Sequence, residues 1–123
     1  MSKRALIVDD SRSIRSYVRL LLERQRFECL EAENGQEALA VLKDRGPCDF
    51  ALIDVNMPVM GGLECVRAMR RTAEMDSMKI MMVTTEADHA LIEQALEAGA
   101  DEYLMKPFGA DVLTGKLQMI GVA

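Results

Sequence analysis

The chain predicts a doubly wound α/β domain, with five parallel strands in the order 2-1-3-4-5 and helices on both faces, and three observations carry that prediction. Short apolar runs alternate with helix-period segments from one end to the other, five of each, the pattern of repeated strand–helix–strand units. Three of the runs, 5–8, 50–53 and 80–83, are apolar at every position, so they belong inside a sheet covered on both sides. The run at 27–32 carries two glutamates and belongs at an edge. Placing it outermost, beside the first strand, gives the stated order.

The elements follow in sequence. ALIV (5–8) is the first strand. Ile14, Val18, Leu21 and Leu22 then recur at i, i+4, i+7 and i+8, one face of the first helix. FECLEA (27–32) alternates Phe27, Cys29 and Glu31 with Glu28, Leu30 and Ala32, which makes a second strand. The second helix opens at NGQE, where Asn34 is a capping residue and Glu37 completes a capping-box pattern. DFALIDV (49–55) is the third strand, and the loop NMPVMGG leads into a third helix with Leu63, Val66 and Met69 on its apolar face. KIMMV (79–83) is the fourth strand. ADHALIEQALEAG is helical by propensity, and Gly99 stands where helices commonly stop. DEYLM (101–105) is the fifth strand. After KPF, a last helix runs through Val112, Leu113, Leu117 and Ile120, weakened by Gly115 by about 1 kcal/mol relative to Ala.

At 123 residues, half of them hydrophobic, the chain is one domain large enough to bury a core. Aromatics are scarce, and ten methionines share the packing. A net charge of −5 argues against a nucleic-acid partner. Arg12, Arg15, Arg19, Arg24 and Arg26 read as a solvated helix face in preference to an anion site. Cys29, Cys48 and Cys65 are odd in number and lack any CxxC, so buried reduced thiols are expected and neither a disulfide framework nor zinc is indicated. MSKRALIV is too short for a signal peptide, and no segment reaches membrane-spanning length. The expectation is a cytoplasmic protein without a membrane partner.

In open parallel sheets, ligands bind beyond the carboxyl ends of the strands, where the strand order reverses. Asp9 and Asp10 follow the first strand, Asp54 the third, Thr84 and Thr85 the fourth, and Lys106 the fifth. Because the first and third strands flank the reversal, three carboxylates converge there. Taken singly, each residue has a plain reading: a helix cap for Asp9 or Asp10, a loop carboxylate for Asp54, a strand-end hydroxyl for Thr84, a solvated charge for Lys106. Capping, however, requires neither an acid on the neighbouring strand nor a lysine further along the same edge.

Two like charges ~4 Å apart repel by ~4 kcal/mol at an effective dielectric near 20. Three carboxylates and one ammonium leave two negative charges over, which one divalent cation would neutralise. All candidate ligands are hard oxygens, so Mg2+ fits better than zinc. Carboxylate-held Mg2+ with open positions commonly serves phosphoryl chemistry.

IVDD, LIDVNMPVMGG, VTTEA and YLMKPF resemble the signature segments of bacterial response-regulator receiver domains, and the whole chain is similar to the free-standing chemotaxis type. The resemblance implies a flavodoxin-like fold with the same 2-1-3-4-5 order. The resemblance implies that Asp54 is the phosphoacceptor, taking its phosphoryl group from a sensor histidine kinase. It implies that Asp10, Asp54 and the backbone carbonyl of Asn56 hold Mg2+ directly, with Asp9 acting through water. Lys106 would contact the phosphoryl oxygens, and the Thr84 hydroxyl would swing onto them. Tyr103 would change rotamer as Thr84 moves, signalling to a downstream protein partner at the face made by the fourth helix, fifth strand and fifth helix.

The same resemblance implies a cis Lys106–Pro107 bond, and Met57–Pro58 is expected to be trans. Asn56 and Glu86 would govern self-dephosphorylation and give a short-lived phosphoryl state. His89 is read as an exposed surface residue. With the chain ending just after the last helix, residues 1–123 are expected to form a receiver with no output domain, a phosphoacceptor and not an enzyme. Gly61, where many relatives carry Asp or Asn, and Thr85, where Ala or Gly is usual, depart from the pattern.

Other readings compete. A stand-alone receiver could serve as a relay intermediate or phosphate sink outside chemotaxis. A haloacid-dehalogenase-like Mg2+-dependent phosphatase also uses a strand-end Asp, but wants Asp-x-Asp where this chain has DDS. A flavodoxin-like electron carrier would need a Ser/Thr-Gly phosphate loop and flavin-stacking aromatics.

Overall fold

In the computed structural model, residues 3–85 and 89–122 are described. The elements run β1 (Lys3–Val8), α1 (Arg12–Glu23), β2 (Phe27–Ala32), α2 (Gly35–Arg45), β3 (Phe50–Asp54), α3 (Gly62–Arg70), a 3-10 turn (Ala73–Met75), β4 (Lys79–Thr84), α4 (His89–Ala98), β5 (Glu102–Met105) and α5 (Ala110–Met119). Every strand pair is parallel, and the sheet order is β2-β1-β3-β4-β5, as the sequence predicts.

The period of two along each strand divides the core in two. Leu6, Val8, Ala51, Ile53, Ile80 and Met82 face α2, α3 and α4, packing with Leu42, Val66 and Met69. Their alternates Ala5, Ile7, Phe50, Leu52, Met81 and Val83 pack with Val18 and Leu22 of α1 and with Leu113 and Leu117 of α5. All five residues of β3 are buried, and β2, whose Glu28 is exposed, occupies the edge. Among the described residues, no helix is long and apolar enough to cross a membrane.

Local chemistry sets the boundaries. Ser11 caps α1, its Oγ accepting from the Ile14 N–H at 3.3 Å. Asn34 caps α2, accepting from the Glu37 N–H at 2.8 Å, while the Glu37 carboxylate reaches back to the Glu33 N–H. Lys106–Pro107 is cis and Met57–Pro58 is trans. The three cysteines are free and buried, and burial pushes the thiols of Cys29 up to about 11 and Cys65 up to about 12, which keeps them protonated and unreactive.

Two expectations need correction, and one element was not anticipated. Val112 is 52 % exposed, so the apolar stripe of α5 is Leu113 and Leu117, with Ile120 just past its end; Val112 precedes that stripe by about 100° of helical rotation. The 3-10 turn at 73–75, which buries Met75, was not expected. The Arg15 and Arg19 side chains are engaged with β2 and not simply solvated.

Two glycines separate packing from propensity. A Cβ on Gly62 would strike the Asp54 carbonyl oxygen and lie 2.9 Å from both Val55 Cα and Met82 Cε. The first turn of α3 thus rests directly on the backbone that carries Asp54. Gly115 sits inside α5 with nothing within 4 Å of its missing Cβ. Gly62→Ala is expected to destabilise the fold by about 2 kcal/mol through overpacking, and Gly115→Ala to stabilise it by up to about 1 kcal/mol. Urea titration of both variants checks this; equal effects of one sign would contradict the packing described.

Candidate functional site

The carboxyl edge of the sheet gathers the polar groups that the core excludes. Asp9 (4 % exposed), Asp54 (7 %) and Thr84 (4 %) are the buried polar side chains among the described residues. Asp10 is exposed beside them. Side-chain oxygens of Asp9, Asp10 and Asp54 all lie within 4.8 Å of one another, the one grouping among the described residues of three or more acids, histidines or cysteines able to share a metal ion.

Each member is placed by its strand. β1 extends its ladder to Asp9, whose N–H donates to the Ala32 carbonyl at 3.1 Å. The Asp9 side chain is held at both oxygens: Oδ1 accepts from the Ser11 N–H at 2.9 Å, and Oδ2 takes the Lys106 Nζ at 2.8 Å. Asp54 ends β3, and Lys106 Nζ lies 3.6 Å from its Oδ1. The lysine reaches across because its own N–H donates to the Thr84 carbonyl at 2.8 Å, which joins the loop after β5 to the end of β4. Since Ser11 caps α1, Asp10 is not used for capping.

Burial pushes the Asp54 carboxyl up to about 6, and the Asp9 charge adds to the effect against the pull of Lys106. Burial disfavours the charged form, and a neighbouring like charge does the same.

Asn56 is exposed in the loop after β3, where it and Asp10 rim an open depression with Glu64. Val59 in this loop holds a φ of +69°, a left-handed conformation that a β-branched residue rarely adopts. Gly61 caps α3 without a side-chain hydrogen bond, as its sequence departure implies. Tyr103 lies half-buried on β5 opposite Met82, two residues before the strand position that pairs with Thr84. The Lys116 Nζ stands 4.5 Å from its ring centroid and 3.1 Å from Glu102 Oε1. Thr85 is exposed; Glu86 and the His89 side chain lie outside the described residues.

Sequence reasoning missed Arg15. Its guanidinium donates to the Asp9 main-chain carbonyl at 2.7 Å and to Glu31 at 2.9 Å. A signal was present: Glu31 shares a strand face with Phe27 and Cys29, which pack into the α1 side of the core. An acid on such a face calls for a cation.

This sheet, with three acids and a lysine at its carboxyl edge, has the make-up of a signalling receiver, and comparison with known proteins agrees. Residues 5–118 match the family model of the response regulator receiver domain. The chain is 38% identical over 116 residues to chemotaxis protein CheY1 of Helicobacter pylori, covering 94% of each. It is 39% identical over 120 residues to the phosphate regulon transcriptional regulatory protein PhoB of Pseudomonas aeruginosa, covering 98% of this chain but 52% of that longer protein. The crystallised chemotaxis protein CheY4 of Vibrio cholerae superposes with a TM-score of 0.91 at 37% identity, over 98% of this chain and 99% of that one. The chain belongs to the response-regulator receiver family, whose members are signalling phosphoacceptors and not enzymes in the ordinary sense.

The raised pKa of Asp54 has a consequence for stability. Between the ordinary carboxylate range and about 6, the folded protein binds a proton at Asp54 that the unfolded chain has already released. Stability without divalent cations therefore falls as pH rises through that window, by about 3 kcal/mol at most. Asp54→Asn is expected to be more stable than the wild type at pH 7.5 in chelator, with the gain gone at pH 4. Urea midpoints at the two pH values measure it, and a variant less stable at pH 7.5 would contradict the account.

Proposed function

We propose that residues 1–123 form one receiver unit of a two-component phosphorelay that accepts a phosphoryl group on Asp54 and signals by protein contact, in chemotaxis or motility. The observation that carries this reading is the Asp54 carboxylate at the end of the central strand, 7 % exposed, with Lys106 at 3.6 Å and two further acids beside it. The donor would be the phosphohistidine of a sensor kinase. An Asp54 carboxylate oxygen attacks phosphorus, the P–N bond breaks, and the imidazole leaves with the bonding pair. A carboxylate is a weak nucleophile, so positioning and charge stabilisation carry the step.

The residues present fit Mg2+. The cluster offers only hard oxygens, and Asp10 and Asn56 open to solvent on one side, which suits an ion that keeps several waters. Asp10, Asp54 and the Asn56 carbonyl would hold it, with Asp9 acting through water. When bound, the ion neutralises charge on the transferring group.

Lys106, anchored by Asp9, has its ammonium poised beside Asp54 to meet a phosphoryl oxygen. Thr84, buried one strand over, would turn its hydroxyl to the same group. Tyr103 would follow, passing the change to the face made by α4, β5 and α5, where Met105 and Val112 are exposed apolar side chains available to a downstream partner. Asn56 and Glu86 would set water access to the acyl phosphate and give it a short lifetime. The near full-length match to two chemotaxis proteins favours that pathway over a relay intermediate or phosphate sink. The adjacent Asp9–Asp10 pair, in place of Asp-x-Asp, disfavours a phosphatase. The cytoplasm is the compartment that fits a kinase donor.

Incubation with acetyl phosphate and Mg2+ is expected to give one phosphoryl adduct, stable in acid and labile in base, that decays well before overnight. Asp54→Asn should abolish it, and Lys106→Met should slow its formation. An adduct surviving Asp54→Asn would overturn the assignment, and steady turnover of phosphate esters would favour the phosphatase.

A further inference from the structure

Arg15 is the one cationic side chain on α1 that reaches the acidic turn. It is 14% exposed. Its Nη1 donates to the Asp9 carbonyl at 2.7 Å, and its Nε donates to Glu31 Oε1 at 2.9 Å. Glu31 is itself fixed, because Arg19 Nε holds its other oxygen at 2.6 Å and Arg19 Nη2 holds the Cys29 carbonyl at 3.1 Å. Burial works against the ionised Glu31, but the hydrogen bonds from Arg19 and Arg15 prevail and keep its carboxyl below the usual range. A chain of charge-assisted contacts therefore runs from the sheet edge to the backbone of Asp9. From the other side, the Asp9 N–H is tied to Ala32, so the residue is gripped at both main-chain polar groups. A planar guanidinium suits this task because its donors diverge in fixed directions, which a lysine cannot reproduce.

We propose that Arg15 is a positioning residue for the cation site: braced by Glu31, it holds the Asp9 carbonyl and thereby aims the Asp9 and Asp10 carboxylates. The proposal rests on the reading that these acids hold Mg2+. Charge alone argues the other way, since a guanidinium near a dication repels it and its removal would tighten binding. The sign of the effect therefore separates positioning from electrostatics.

The test is a Mg2+ titration of the whole chain, followed through the amide resonances of residues 9–11 and 54–56, for wild type, Arg15→Gln and Arg15→Lys. Arg15→Gln is expected to weaken Mg2+ binding about tenfold, the scale of loss when a group that orients a ligand is removed. Arg15→Lys keeps the charge but not the fork, and should lose most of the same affinity. A second readout needs no metal. In chelator, the Ser11 amide, which donates to Asp9 Oδ1, should exchange about fivefold faster in Arg15→Gln and in Glu31→Gln, while the Leu52 amide in β3 is unchanged. Unchanged or tighter Mg2+ binding in Arg15→Gln overturns the proposal. So does weaker binding without faster Ser11 exchange, because the residue would then not act through the turn. A wild-type protein indifferent to Mg2+ defeats the cation reading instead, and the exchange rates alone then decide whether Arg15 braces the turn.

Discussion

The mutual repulsion of the carboxylates of Asp9, Asp10 and Asp54 is the constraint on which the rest of the structure depends. Two of the three are almost wholly withdrawn from water, where their charges are least screened and their burial is most expensive. They meet because β1 and β3 are neighbours at the centre of the sheet and both end at the same edge. The strand order and the acidic cluster are thus one fact seen at two scales. A different order would separate the acids and remove both the repulsion and the chemistry.

The molecule offsets this repulsion from several directions. Lys106 arrives from the far side of β4, anchored through the Thr84 carbonyl, and takes one oxygen of Asp9 while standing near Asp54. Backbone dipoles contribute as well, through the Ser11 N–H on Asp9. Behind the turn, Arg15 fixes the peptide that carries the first acid. Gly62 lets α3 close against the backbone of Asp54, so the loop after β3 has little room to relax. These contacts hold the acids in place without cancelling their charge, and burial together with the Asp9 charge keeps the Asp54 carboxyl high against the pull of Lys106. A site left partly uncompensated in this way has the charge and the oxygen donors that could hold a dication.

Much of this was legible in the sequence because the governing patterns are local. Fully apolar runs gave the central strands, Glu28 and Glu31 gave the edge, and the residues just past the strands gave the acids and the lysine that the fold brings together. What could not be read depends on angles and on partners distant in the chain. Val112 is as apolar as Leu113, but only its position around α5 exposes it. The 3-10 turn at 73–75 has no period long enough to detect. Arg15 and Arg19 looked like ordinary surface cations because their shared partner, Glu31, lies on another element. The roles proposed for Thr84 and Tyr103 rest on family resemblance, since neither hydropathy nor spacing distinguishes a switching hydroxyl or ring from a packed one.

The receiver reading joins these levels: a sheet that concentrates acids and a lysine that steadies them. Its central claim is that Asp54 is held out of its ordinary ionisation range by burial, with the Asp9 charge adding to it, and would be brought back by a dication. The most direct measurement is a carbon-13 NMR titration of the Asp54 carboxyl, with and without Mg2+. The account predicts a midpoint of about 6 in chelator and a clearly lower one when Mg2+ is added. An ordinary carboxylate midpoint in chelator, unmoved by Mg2+, would contradict it.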